Sequence, residues 1–424
     1  MSEKMHPYRL AILDSHVIQY FAPLYRRLAE EPDIDLTVYY CSRQGLDAYN
    51  DPGFGGQRVQ WDVPLLGGYK AVFLKNLRCG GATGGFWRLV NPDIIGELRH
   101  YRYDALWVHG LNCATHLLAY VIARCLGTAI FTRGDTNVVS ERSRRGRLLH
   151  DLLLRRLYDQ CDACLAVGTR NAEFYRYLGV PDAKIFLAPF AVDNERFIAG
   201  ADACRPSILA LKQKLGLRQG LPVLLFASKF IRRKNAMHLL RAKAALQSEG
   251  IECAVLLIGA GEEEDGLRRY SSDKKLRDVH FLGFRNQSEL PKYFVLSDIF
   301  VLPAENEPWG LVVNEVMCAG VAIVATEEIG AVADLVRQGE NGMLYPTGNI
   351  DSLTSILRRL IRDPALCERM GWRSREIISK WGYEQCVAGV KEALHSTKAN
   401  RLRNGRVDTR RTASLCSHDT RGRE

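Results

Sequence analysis

No run of apolar residues in this 424-residue chain approaches the roughly 20 that a membrane helix needs. The longest, from Cys113 to Ala123, is broken by His116. The N-terminus, Met1-Ser-Glu-Lys-Met-His-Pro-Tyr-Arg-Leu10, has acidic and aromatic residues where a secretory leader requires an apolar core. A cytoplasmic protein without a secretion signal is therefore expected. The first strand-like segment ends in Leu13-Asp-Ser-His16 with no Gly-x-Gly-x-x-Gly behind it, which counts against a dinucleotide-dependent oxidoreductase. Twelve cysteines are present, but only Cys161 and Cys164 form a CxxC, without a second pair or a histidine cluster at zinc spacing. That pair leads into an apolar strand and reads as packing; Cys41, Cys125, Cys253 and Cys318 likewise read as reduced, small hydrophobes. The net charge of +10 is confined to two stretches, residues 142 to 156 and 397 to 424, each carrying +5. The remainder is balanced, which excludes a broad nucleic-acid-binding face.

What is present is an alternation of short apolar runs with helical segments, the pattern of parallel α/β layers. A chain this long exceeds one ordinary core. Strands are expected at Arg9–Leu13, Asp35–Tyr40, Ala105–Val108, Ala129–Thr132 and Ala163–Val167. A second series follows at Val223–Ala227, Cys253–Ile258, His280–Leu282, Ile299–Leu302 and Ala322–Ala325. Two doubly wound, Rossmann-like domains result, residues 1–200 and 220–380, joined by a looser stretch from about Ile198 to Gly220. A helix over about 383–396 follows, then a basic tail, 397–424, poor in large apolar residues and expected to be disordered.

The most informative segment is Pro303-Ala-Glu-Asn-Glu-Pro-Trp-Gly-Leu-Val-Val-Asn-Glu-Val-Met-Cys-Ala-Gly320. It places Glu307 and Glu315 at a strand-to-helix mouth, where open α/β sheets bind ligands. A carboxylate ahead of the helix can accept hydrogen bonds from vicinal sugar hydroxyls, and one within the first turns can reach a ribose. Between them the N–H groups of Gly310, Leu311 and Val312 can face a diphosphate, which a helix N-terminus favours. The same pair also reads as ordinary helix-start carboxylates.

Four motifs in order then resemble the donor-binding half of family 4, or group 1, retaining glycosyltransferases of the GT-B fold, over roughly Val223 to Gly382. Phe226-Ala-Ser-Lys-Phe-Ile-Arg-Arg-Lys-Asn235 is similar to the family's strand followed by Gly-Arg-Leu and Lys-Gly. The match implies that Lys229 and Lys234 clamp the diphosphate, although Lys229 stands for an arginine and Asn235 for a glycine. Arg232 and Arg233 read as solvated charges. Leu256-Leu-Ile-Gly-Ala-Gly-Glu-Glu263 resembles the Gly-x-Gly turn, with Gly259 and Gly261 letting backbone approach the nucleotide. Val279-His-Phe-Leu-Gly-Phe284 resembles the segment whose next residues, Phe284 and Arg285, hold the base through backbone atoms. The fourth motif is Glu-x7-Glu itself, with Trp309 where the family has phenylalanine.

The resemblance implies two domains facing across a cleft, with the C-terminal helix returning to the first. It implies transfer of a hexosyl group with retention, Glu307 on sugar hydroxyls and Glu315 on the ribose. No metal and no cofactor are implied, since lysines and a helix end supply the positive charge and no Asp-x-Asp motif ends a suitable strand. In the more divergent first half, Asp14-Ser-His-Val-Ile-Gln-Tyr-Phe-Ala-Pro-Leu-Tyr25 resembles members that act in surface or exopolysaccharide assembly. A lipid-linked or growing glycan is the implied acceptor. His109 and Asp135 end strands at the cleft edge; they read as reaction-centre contacts or as a structural histidine and a turn aspartate. Residues 142–156 combine arginines with leucines, either a basic amphipathic helix resting on anionic lipid at the inner membrane face or one that packs its leucines inward. A non-hydrolysing nucleotide-sugar epimerase and a catalytically silent sugar-nucleotide binder are the rival readings.

Overall fold

The protein is described here by a computed structural model covering residues 6–78, 84–137 and 144–403. Nine strands fall in the first half: β1 (Tyr8–Asp14), β2 (Ile34–Tyr40), β3 (Tyr49–Asp51), β4 (Gln57–Val59), β5 (Lys70–Phe73), β6 (Ala105–His109), β7 (Ala129–Arg133), β8 (Ala163–Ala166) and β9 (Ile185–Leu187). Six fall in the second: β10 (Val223–Ala227), β11 (Ala254–Ile258), β12 (Val279–Gly283), β13 (Ile299–Leu302), β14 (Ala322–Thr326) and β15 (Gly342–Tyr345). They build a seven-stranded sheet in the order β5-β2-β1-β6-β7-β8-β9 and a six-stranded sheet in the order β12-β11-β10-β13-β14-β15. Every pairing within both sheets is parallel, while β3 and β4 form a separate antiparallel hairpin.

The central strands are apolar throughout because helices cover both faces. All of Val223-Leu-Leu-Phe-Ala227 and Ala254-Val-Leu-Leu-Ile258 is buried. Chain order reverses between β1 and β6 in one sheet and between β10 and β13 in the other. Loops at the carboxyl ends of those strands diverge there, leaving a crevice in each domain. The two crevices face one another. Across the cleft Thr169 donates to Asp334, Arg170 to the Ile329 carbonyl, and Asn286 to the Gln60 carbonyl.

Two expectations are corrected. The stretch from Ile198 to Gly220 is not loose: it holds the end of the helix Asn194–Cys204, N-capped by Asp193, and the helix Ile208–Lys214. Gly200 and Pro206 obscure the periodicity, but Gly200 is where the first of these helices meets Pro291, 3.1 Å from where a Cβ would stand. The tail does not begin at Thr397, since the last helix runs from Tyr383 to Arg403. Its residues Cys386, Val387, Val390, Ala393 and Leu394 lie in the core of the first domain. Arg401 extends that attachment by donating to the Gly127 carbonyl at 2.6 Å. Residues 404–424, the rest of the basic tail, lie outside the described residues, as do Arg142 and the side chains of Arg144, Arg145 and Arg147.

Candidate active site

Adjacent strands β10 and β13 deliver the cationic loop and the Glu307 loop to one place. Lys234 is buried and its Nζ lies 2.6 Å from Glu307 Oε2, while Arg233 Nη1 meets the same oxygen at 2.5 Å. Burial makes the Lys234 ammonium easier to deprotonate, and the Glu307 charge opposes that shift. Arg233 remains about half exposed, as expected from sequence, but its guanidinium is turned back onto the candidate sugar-binding carboxylate. Asn235, standing where the resemblance has glycine, adopts φ +50, a left-handed conformation that asparagine tolerates. The departure therefore keeps the turn. Glu307 is fixed through its backbone as well, its carbonyl accepting the Gly330 N–H at 3.0 Å.

Gly310 has φ +90, and a Cβ there would stand 3.0 Å from Ile329 Cγ2 and 3.4 Å from Glu307 Cγ. Glycine is required both for the turn and for the proximity of Glu307. The helix Val312–Ala319 begins directly after Leu311 and has no side-chain cap. The Val313 N–H is taken by the Gly310 carbonyl at 2.9 Å, so the donors this end can offer are those of Gly310, Leu311 and Val312. Trp309 fills the domain boundary, stacked on Trp381 with ring centroids 5.9 Å apart and donating to Asn314 at 3.0 Å. The larger ring is accommodated because residue 168 is glycine; a Cβ there would lie 2.4 Å from the indole.

Lys229 is engaged from the other domain. Its Nζ lies 2.9 and 3.0 Å from the two carboxylate oxygens of Asp51, at the end of β3, and 4.7 Å from the centre of the Phe54 ring. The β3–β4 hairpin reaches over the donor half, where Phe54 and Trp61 pack against Phe284 with centroids 5.0 and 6.2 Å apart. Nothing in the spacing of residues 49–61 signalled this. Arg285 lies over the Tyr293 ring, 5.6 Å from its centre. Gly259 and Gly261 have φ +143 and +154, and a Cβ would fall 1.9 Å from the Ser228 carbonyl oxygen and 2.4 Å from that of Phe230. The close approach seen is thus between two backbone loops, β10 to its successor and β11 to its own.

Glu315 is buried, and its Oε1 accepts from Tyr20 Oη at 2.9 Å and from Gln287 Nε2 at 3.1 Å. Burial pushes its carboxyl pKa up to about 7 despite those donors and the nearby Arg196. Tyr20 comes from the first domain, so this carboxylate ties the domains together.

On the acceptor side, His109 at the end of β6 stacks on Phe21 and Trp107, with centroids 4.5 and 5.0 Å away. Its Nε2 lies 3.0 Å from Tyr25 Oη and 3.5 Å from Asp14 Oδ1, and Tyr25 donates to Asp14 Oδ2. Burial pushes Asp14 up to about 7 and holds His109 well below the ordinary histidine range, with Arg133 reinforcing the latter. A carboxyl group, a phenol and an uncharged imidazole thus share one network able to hold or pass a proton. Sequence alone does not reveal Asp14 and Tyr25 as partners of His109, because one sits at a strand end and the other inside a helix with no spacing that links them to it. Arg133 is buried, donating to the Ala188 and Pro189 carbonyls with aromatic rings around it. Asp135 stands in the cleft, its carboxyl pKa raised by desolvation and by the Glu307 charge opposite. No hydrogen bond among the described residues joins it to the His109 network.

Residues 207–377 match the family model described as glycosyl transferases group 1. A relative from Bacillus anthracis, N-acetyl-alpha-D-glucosaminyl L-malate synthase, is 25% identical over 198 residues, 46% of this chain and 51% of that protein. A GDP-mannose-dependent alpha-(1-6)-phosphatidylinositol monomannoside mannosyltransferase of Mycobacterium tuberculosis is 25% identical over 258 residues, 59% of this chain and 66% of its own. The chain therefore spans about half to two thirds of the curated relatives it matches. Among solved structures, a glycosyltransferase from Rickettsia africae ESF-5 superposes with TM-score 0.69 at 12% identity, over 93% of this chain and 100% of that one. Anabaena HepE in complex with UDP gives 0.69 at 16% identity, over 92% and 100%. At such identities the likeness is one of fold, and that fold is GT-B. The resemblance carried by the four motifs is borne out.

Proposed function

We infer that this chain, with a group 1 glycosyltransferase segment on a GT-B fold, moves a sugar from a nucleoside diphosphate sugar to an acceptor, with retention at the anomeric carbon. The observation that carries the reading is the convergence of Lys229, Arg233, Lys234 and Glu307 at the β10/β13 crevice, opposite the Asp14–Tyr25–His109 network. Glu307 is assigned to sugar hydroxyls, Lys229, Lys234 and the Gly310 helix end to the diphosphate, and Glu315 to the ribose. In that role Lys229 exchanges Asp51 for phosphate and Glu315 exchanges Tyr20 for a ribose hydroxyl, so donor entry is coupled to domain movement. Charge on the departing diphosphate is met by side chains and backbone dipoles, and the chemical step needs no divalent cation. The leaving phosphate assists deprotonation of the acceptor on the same face, with His109 and Asp135 lining the acceptor approach.

A lipid-linked acceptor at a membrane surface is supported by the helix Arg144–Asp159. Leu152 and Leu153 are 51% and 58% exposed beside Arg155 and Arg156. Neighbouring Leu117 and Val121, on the helix Ala114–Leu126, are also exposed. Leucines next to arginines on an open surface suit the headgroup region of an anionic bilayer. Among the described residues no helix is long and apolar enough to cross one.

The test is incubation with a panel of UDP-, GDP- and ADP-sugars, with and without lipid extract. Release of nucleoside diphosphate together with an α-linked product supports the reading. A new nucleotide sugar without diphosphate release would mark an epimerase, and neither product a silent binder.

A further inference from the structure

Three side chains from two distant stretches of sequence, Cys41 and the Cys113–His116 pair, meet inside the first domain, away from the donor loops. Cys41 follows β2, Cys113 precedes the helix Ala114–Leu126, and His116 lies in that helix's first turn. Their two sulfurs and a ring nitrogen of His116 all lie within 4.8 Å of one another. Each residue is buried, Cys41 at 1%, Cys113 at 3% and His116 at 0% exposure, and neither cysteine is in a disulfide.

The histidine gives this cluster a direction. Its Nδ1 lies 3.1 Å from the Gly110 carbonyl oxygen. A carbonyl only accepts, so Nδ1 carries the proton and Nε2 is left with a lone pair. That Nε2 is buried with no hydrogen-bond partner among the described residues. A buried acceptor lone pair without a hydrogen bond calls for an explanation, and an ion held beside the two thiols is one. An imidazole whose other nitrogen donates to a backbone carbonyl is also the arrangement metal-ligating histidines adopt.

We propose that Cys41, Cys113 and His116 form a binding site for one thiophilic d10 cation, Zn2+ or Cu+. Two thiolates and an imidazole are soft donors that select these ions over Mg2+ or Ca2+. Tetrahedral zinc places two thiolate sulfurs about 3.8 Å apart, within the spread of this cluster. Binding displaces both thiol protons to solvent, so Zn2+ with two thiolates is neutral in the core. His116 is tied to the Gly110 carbonyl, and Gly110, at φ +69, is the turn that follows His109. The role assigned is positional: the ion holds the loop from Gly110 to Cys113 and leaves the sugar-transfer chemistry to the cleft.

The full chain, purified under reducing conditions, is analysed for bound metal, stripped with chelator, and titrated separately with Zn2+, with Cu+ and with Co2+. One equivalent per chain and a thiolate-to-cobalt charge-transfer band are expected. Cys113→Ser and His116→Gln should each weaken binding at least tenfold, whereas a Cys161→Ser/Cys164→Ser variant should bind like the parent. Failure of the folded parent protein to take up any of the three ions after reduction overturns the proposal, whatever the variants do. So does loss of the metal in the Cys161→Ser/Cys164→Ser variant, which would place the ion at the CxxC. Metal content and the cobalt spectrum do not depend on turnover, so this proposal and the donor assignment stand or fall separately.

Discussion

Asp51 and Lys229 form a two-pronged ion pair across the cleft, with Nζ 2.9 and 3.0 Å from the carboxylate oxygens. Asp51 is buried and Lys229 partly so. The carboxylate therefore occupies the cation that the proposed diphosphate requires, and the two anions compete.

Asp51→Asn removes the competing charge. Partly exposed pairs of this kind contribute on the order of 1 kcal/mol. Nucleoside diphosphate binding should accordingly tighten about 3- to 5-fold, measured by calorimetry at low salt, with the gain shrinking as salt rises. Unchanged or weaker binding would mean that Asp51 helps build the site instead of competing for it.

Glu307 carries both a binding and a structural load. Replacement by alanine leaves Lys234 buried without its carboxylate, and breaking a buried pair can cost about 3 kcal/mol, less here because Arg233 is half exposed. Glu307→Ala should lower Tm as well as turnover. Glu307→Gln keeps shape and one acceptor, so it separates the two effects: diphosphate release should fall at least 100-fold with a smaller shift in Tm. Full activity in Glu307→Gln would remove Glu307 from the sugar-binding role.

The second domain was more legible in sequence than the first, for a physical reason. Its strands β10, β11, β13 and β14 are buried on both faces, so each is an unbroken apolar run. Three of the four edge strands escaped notice: β5 and β9 border one sheet and β15 the other, and β5 begins with exposed Lys70, whereas β12, the remaining edge, was expected at His280–Leu282. The β3–β4 hairpin is three residues per strand and carries no alternation long enough to register. Of the site, Glu307 and Lys234 were recognisable as motif positions. Arg233 was not, because nothing in a run of basic residues says which one turns back to Glu307. Asp14, Tyr25 and His109 come together only through the adjacency of β1 and β6 and the helix between β1 and β2, a tertiary fact with no sequence spacing.

Asp14 and Glu315 are buried carboxyl groups with pKa values near 7, raised above those of an unfolded chain. The folded protein then holds more protons than the unfolded one between about pH 4 and 7, so these two groups lower stability as pH rises through that window. Their favourable contribution is complete below it and gone above it. Glu315→Gln and Asp14→Asn, which mimic the neutral acids, should each reduce the loss of Tm between pH 5 and 8. A parallel pH profile for Glu315→Gln would show that Glu315 does not titrate there.

Leu152 and Leu153 are exposed beside Arg155 and Arg156, the combination of apolar and basic side chains that the proposed anionic membrane contact requires. On an anionic bilayer, two leucine side chains that are 51% and 58% exposed gain about half the transfer energy of a fully exposed leucine, about 1 kcal/mol each, on entering the headgroup boundary. Replacing both with aspartate removes this gain and adds repulsion from the lipid. Flotation with phosphatidylglycerol vesicles should recover the parent protein in the lipid fraction and lose the double variant by at least tenfold. Reversing Arg144, Arg145 and Arg147 should have a similar effect that high salt reproduces in the parent, since only the charge component is screened. Nucleoside diphosphate affinity should be the same in all three proteins, because the donor crevice lies in the other domain. Equal flotation of parent and leucine variant would return these side chains to chance exposure and remove the membrane surface from the acceptor side.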